Sequence, residues 1–110
     1  MKIILIATVA SIALASHAAA QEFGDVKTGK TLALSVCAQC HAVRAGGASS
    51  KNPMAPSFAN VATWPGVTDR ALRVWLQTSH RSMPNFMLTS SERSNVAAYI
   101  VSLKGGSSAM

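Results

Sequence analysis

Five residues, Cys37-Ala38-Gln39-Cys40-His41, constrain this chain more than any other stretch, because they hold both of its cysteines and end in an imidazole. Thiols three positions apart sit on neighbouring points of one helical turn, so covalent anchoring and metal ligation are concentrated in one short element. A structural zinc site would need a second Cys/His pair, and His17 and His80 do not form one. A redox dithiol would need a βαβ setting, yet no convincing strand run occurs anywhere. A plain Cys37–Cys40 disulfide requires that the thiols form no other bond. The reading that uses all three side chains is a c-type haem site. Cys37 and Cys40 add across the two vinyl groups as thioethers, and His41 supplies the proximal axial ligand to iron.

The start of the chain explains how such a site would be made. Met1-Lys2 is followed by the apolar run from Ile3 to Ala15 and then by Ser16-His17-Ala18-Ala19-Ala20. A short positive end, an apolar stretch too short for a bilayer and an A-x-A ending describe a cleavable secretory signal over residues 1–20, with cleavage expected before Gln21. His17 leaves with it as a candidate ligand. What remains, 21–110, is one small domain with a tail over 105–110. A body of this size buries little surface and usually needs a covalent or metal staple. A haem held through two thioethers would be that staple, and it would also protect the thiols from pairing in an oxidising compartment.

Lys2 is the only basic residue in the signal, so the formal net charge falls from +6 to +5 after cleavage. The cations Lys27, Lys30, Arg44, Lys51, Arg70, Arg73, Arg81, Arg93 and Lys104 are scattered rather than run together. This pattern and export argue against nucleic acid and for a positive face that steers an acidic protein partner.

Helical periodicity recurs three times. Asp25 is a plausible N-cap for a first helix, with Gly29, Leu32, Ala33 and Val36 at helical spacing leading into Cys37. Gly29 costs such a helix about 1 kcal/mol against alanine, and close approach by another helix would compensate. Residues 42–67 break the pattern and read as a long wrapping loop, with a glycine-serine stretch at 46–51. Thr68 caps a second helix, Asp69 to about Ser79, whose face of Ala71, Leu72, Trp75 and Leu76 places Trp75 in the core. After an irregular segment from His80 to Leu88, Thr89-Ser90-Ser91-Glu92 forms a capping box. The last helix follows, with Val96, Tyr99, Ile100 and Leu103 on one face, and Gly105-Gly106 stops it.

The sixth iron position decides the chemistry. Met83 is the first candidate, since Pro84 biases it towards extended backbone and stiffens the segment behind it. Met87, His80 and an open site are the alternatives. A thioether is a soft ligand that suits ferrous iron, so a His/Met pair raises the reduction potential relative to two imidazoles. With both axial positions filled there is no place for dioxygen or peroxide, and one-electron transfer remains.

With Cys37-Ala-Gln-Cys40-His41 near the start, Met83-Pro84 some forty residues on and Tyr99-Ile100-x-x-Leu103 in the closing helix, the chain resembles a short bacterial class I cytochrome c. The resemblance implies a small all-α fold of three main helices wrapped around one covalently attached haem. It implies that the first and last helices cross, with Gly29 under Val96 and Tyr99, and that the backbone carbonyl of Pro56 accepts the Nδ1 proton of His41. An aromatic is common in this family four residues before the first haem cysteine; Ala33 stands there, which shifts the expected packing to Leu32, Leu34 and Tyr99.

The function expected is a monomeric periplasmic electron shuttle in a Gram-negative bacterium. It would be no enzyme and have no permanent membrane span, and it would serve acidic redox partners such as a dehydrogenase, reductase or oxidase. The alternatives are a dedicated cytochrome subunit of one periplasmic dehydrogenase, or an open-site haem protein that binds gas or peroxide. Nothing in the chain supplies a substrate pocket, a base or a second cofactor.

Overall fold

The computed structural model describes residues 23–46, 48–78, 80 and 82–105. The expected signal over 1–20, Arg81 and most of the expected tail over 105–110 lie outside the described residues. Among the described residues four α-helices follow in order, α1 Val26–Ser35, α2 Phe58–Thr63, α3 Asp69–Trp75 and α4 Ser90–Ser102, with a 3-10 turn, Cys37–Gln39, directly after α1. No strand occurs among the described residues beyond an isolated bridge between His80 and Met83.

Each α-helix begins where a side-chain oxygen can satisfy a free N–H of its first turn. Asp25 accepts from Thr28 N at 2.6 Å, Ser57 from Asn60 N at 3.1 Å and Thr68 from Ala71 N at 3.1 Å. At α4 the box is reciprocal: Glu92 N donates to Thr89 Oγ1 at 3.1 Å and Thr89 N donates to Glu92 Oε2 at 2.7 Å.

The fold is set by α1 crossing α4, the most extensive helix contact in the molecule. Gly29 and Ala33 are the buried residues of α1. A Cβ on Gly29 would come within 1.9 Å of the Asn95 carbonyl oxygen, and one on Gly24 within 1.9 Å of the Ser94 oxygen. Backbone therefore lies directly on backbone, which only glycine allows. Asp25 N donates to Asn95 Oδ1 at 2.8 Å and locks the register of the crossing. The expected close approach over Gly29 is present, centred on Asn95 and Val96 rather than on Val96 and Tyr99. Ala33 is itself fully buried and Leu34 is 36% exposed, so the small residue fills the crossing without the larger leucine.

Around that crossing lies one apolar cluster of Ala33, Val43, Phe58, Ala62, Leu72, Val96, Ala97, Tyr99, Ile100 and Leu103. Two expectations are corrected. The stretch read as one long loop contains α2, six residues that bury Phe58 and Ala62 under α4. The helix expected to run to about Ser79 ends at Trp75 and continues as turns. Trp75 is 57% exposed, because α3 buries only Leu72 and the indole is taken up by stacking on His80.

Candidate functional site

Helix α1 delivers the motif. Its last turn passes into the 3-10 turn, where the N–H groups of Cys40 and His41 both donate to the Cys37 carbonyl, at 3.2 and 2.9 Å. The two thiols are half-buried and not joined to one another. Burial pushes the Cys37 thiol up to about 11, which keeps it neutral at physiological pH.

The wrapping loop then closes on the motif. Asn52 N donates to the Cys40 carbonyl at 3.0 Å, Ala42 N to Ser50 Oγ at 2.9 Å and Phe58 N to the Ala42 carbonyl at 2.9 Å. This brings Pro56 against His41, whose Nδ1 lies 2.6 Å from the Pro56 oxygen. A carbonyl can only accept, so Nδ1 carries a proton, and in the neutral ring Nε2 is the nitrogen with the lone pair. The ring packs on Phe58 at 5.3 Å between centroids, and Phe58 on Tyr99 at 6.5 Å. Tyr99 in turn donates its hydroxyl to the Val43 carbonyl at 2.5 Å, tying the loop to α4. Burial also raises the Tyr99 phenol above its ordinary value, with Arg44 acting weakly in the opposite direction.

On the other side of Cys37 is an apolar cavity bounded by Leu32, Val36, Leu76, Leu88 and Val96, with Met83 and His80 on its wall. Met83 is half-buried there, whereas Met54 is 81% and Met87 91% exposed. Arg93 Nη1 donates to the Leu88 carbonyl at 2.6 Å and pins the end of this segment to α4. Of Cys37, Cys40, His41 and Met83, this cavity brings together Cys37 and Met83. His41 faces an adjoining hollow with Ala38, Val43 and Arg44, and Cys40 lines neither. His80, an alternative to Met83 from the sequence, also lines this wall; its stack on Trp75 was not foreseen, because a helix running to Ser79 concealed the spacing of the two rings.

The matched family model is that of cytochrome c oxidase, cbb3-type, subunit III, which covers residues 24–100. Cytochrome c-552 of Bradyrhizobium diazoefficiens is 38% identical over 93 residues, which cover 84% of this chain and 88% of that protein. The chain belongs to the class I monohaem cytochromes c. No solved structure gives a significant match.

Membership carries with it one covalent haem c, and the residues present fit that group. Cys37 and Cys40 complete the CxxCH attachment motif with His41. The His41 ring is held by its hydrogen bond to Pro56, and the wall beside Cys37 is mostly apolar, with Thr78, His80 and Asn85 as its polar members. When bound, the group supplies a one-electron couple at iron. The protein is an electron-transfer haem protein that acts with redox partners. Among the described residues no helix is long and apolar enough to cross a membrane.

Proposed function

We propose that this cytochrome is an exported, periplasmic single-electron carrier, not an enzyme, in which His41 and Met83 are the two axial ligands and Pro56 orients His41. The observation that carries the reading is the contrast among the methionines: Met83 is half-buried on the cavity wall beside Cys37, while Met54 and Met87 point into water. The hydrogen bond from His41 Nδ1 to Pro56 holds the ring in one tautomer and raises its basicity as a ligand. On the opposite wall, Leu32, Val36 and Leu88 exclude water from the Met83 thioether, which favours the reduced state. With both positions occupied by side chains, no site is left open to small ligands.

A redox-difference visible spectrum of the holo-protein tests this reading. A sharp reduced α-band, a weak near-infrared Met–Fe(III) band and no CO binding at neutral pH are expected; ready CO binding by the wild type would overturn the filled site. Mass spectrometry of the exported protein should find Gln21 as its first residue.

A second reading has support of a different kind: the matching family model is described as an oxidase subunit. A dedicated subunit would be permanently docked, so its electron-transfer rate with the native partner would not respond to salt. A free carrier with a net charge of +5, the full chain's +6 less Lys2, should slow with an acidic partner as the Debye length falls from about 30 Å at 0.01 M to about 8 Å at physiological strength. Arg44 is exposed beside the His41 hollow and is the first residue for charge reversal. Arg81, the other choice, lies outside the described residues.

A further inference from the structure

Of the polar residues that line the cavity, Thr78, His80 and Asn85, only His80 carries an imidazole, and the assigned chemistry does not use it. Its ring is stacked on Trp75, with centroids 3.9 Å apart and planes 21° from parallel. Its Nε2 is buried and has no hydrogen-bond partner among the described residues, a condition that native structures rarely leave unexplained. It also forms the isolated antiparallel bridge with Met83, in which Met83 N approaches the His80 carbonyl at 3.4 Å. Residues directly opposed across such a bridge project to the same side, so the imidazole and the thioether stand next to one another, and both line the cavity that holds Cys37. Ser82, at φ 64°, makes the tight turn that folds the segment back and brings the pair together.

We propose that His80 is a standby axial ligand: when the Met83 thioether leaves the iron, the Nε2 of His80 takes its place and keeps the sixth position closed. The inference rests on the assignment of Met83 as the resting ligand. The exchange breaks one iron–sulfur bond and forms one iron–nitrogen bond. No electron is transferred, and no proton moves if Nδ1 carries the ring hydrogen. Stacking on Trp75 holds the His80 ring in place on the cavity wall. The thioether, as the softer ligand, holds the ferrous state, whereas imidazole is a good donor to ferric iron. The consequence is a protein that does not open to small ligands when its methionine is lost.

The test uses the holo-protein at neutral pH, in which the thioethers retain the haem in every variant. Wild type should show the near-infrared Met–Fe(III) band. Met83→Ala should lose that band yet stay low-spin, with the electron paramagnetic resonance signature of two imidazoles. Met83→Ala with His80→Phe, which preserves an aromatic ring against Trp75, should become high-spin. If His80 holds the position nine-tenths of the time, apparent CO affinity in Met83→Ala should be about tenfold weaker than in the double variant. A high-spin Met83→Ala would overturn the standby role while leaving Met83 as the ligand, and so would a low-spin signal that survives His80→Phe. A wild type that already shows two imidazoles and no near-infrared band would overturn the resting assignment together with it. His80→Gln on the Met83→Ala background repeats the test with a polar, non-ligating side chain and should also be high-spin.

Discussion

The crossing of α1 with α4 and the segment from His80 to Leu88 are built in opposite ways. At the crossing, backbone meets backbone over Gly24 and Gly29, Ala33 and Val96 are fully buried, and Asp25 is tied to Asn95 across the interface. Among its described residues the segment from His80 to Leu88 has no helix or ladder, and Pro84, Asn85, Phe86 and Met87 are exposed. It is held by short local hydrogen bonds, by the bridge between His80 and Met83 and by Arg93 on the Leu88 carbonyl. The first region has almost no freedom to change and carries stability; the second has few contacts of its own and carries Met83, the proposed axial ligand. Closely packed interiors accept neither added nor missing volume, whereas a loop tolerates substitution and yields on local rather than global scales.

Substitutions should therefore separate into those that move stability and those that move the spectrum. The largest loss is expected for Gly29→Val, which would drive side-chain atoms into the Asn95 carbonyl and force α1 off α4, costing about 3 kcal/mol or more. Denaturant unfolding followed by circular dichroism measures this, and a near-neutral result would break the comparison.

Next comes Tyr99→Phe, which leaves the Val43 carbonyl without its donor at a cost of about 1–3 kcal/mol. The same residue predicts a pH dependence. Its phenol is raised above 10 by burial, so the neutral form is the one the fold prefers. The stability it contributes is complete below the ordinary value near 10 and is lost as pH rises through the folded value. Tyr99→Phe should remove that alkaline component of the stability profile.

Arg93→Ala sharpens the comparison from the other side. Removing the hold on Leu88 should cost about 1 kcal/mol but weaken the near-infrared band, because the end of the ligand segment is released from α4. The smallest effect on the fold is expected for Met83→Leu, a similar volume in a half-buried position, with less than about 1.5 kcal/mol of packing change. It should retain haem, abolish the band and lower the reduction potential, measured by spectroelectrochemistry.

Much of this was legible before any coordinates. The attachment motif is contiguous, so Cys37, Cys40 and His41 needed no tertiary information, and the caps at Asp25, Thr68 and Thr89 are read from residues three apart. The resemblance to class I cytochromes c also implied the bond from His41 to Pro56, fifteen residues away in sequence and 2.6 Å away in space. Helix α2 was hidden because Phe58–Thr63 is barely more than one turn and shows no repeat; its formation depends on Phe58 finding His41 and Tyr99. Trp75 was misplaced for a related reason. Periodicity assigns a residue to a face, but whether that face meets a partner depends on how far the helix runs, and α3 stops at Trp75 itself.

What the sequence determined by itself is the covalent chemistry: two thiols and an imidazole within one turn, a capped helix before them and a capped helix at the end. Such features are local, and local geometry follows from residue type and spacing. What only the tertiary structure decided is which distant side chains share the cavity with Cys37. Met83 and Met87 differ by four residues and look alike as letters; one is half-buried on the wall and the other is in water. That choice, and the orphaned nitrogen of His80 beside Met83, arise because the antiparallel bridge and the turn at Ser82 face one pair of side chains inward, a relation that exists only once the chain has folded.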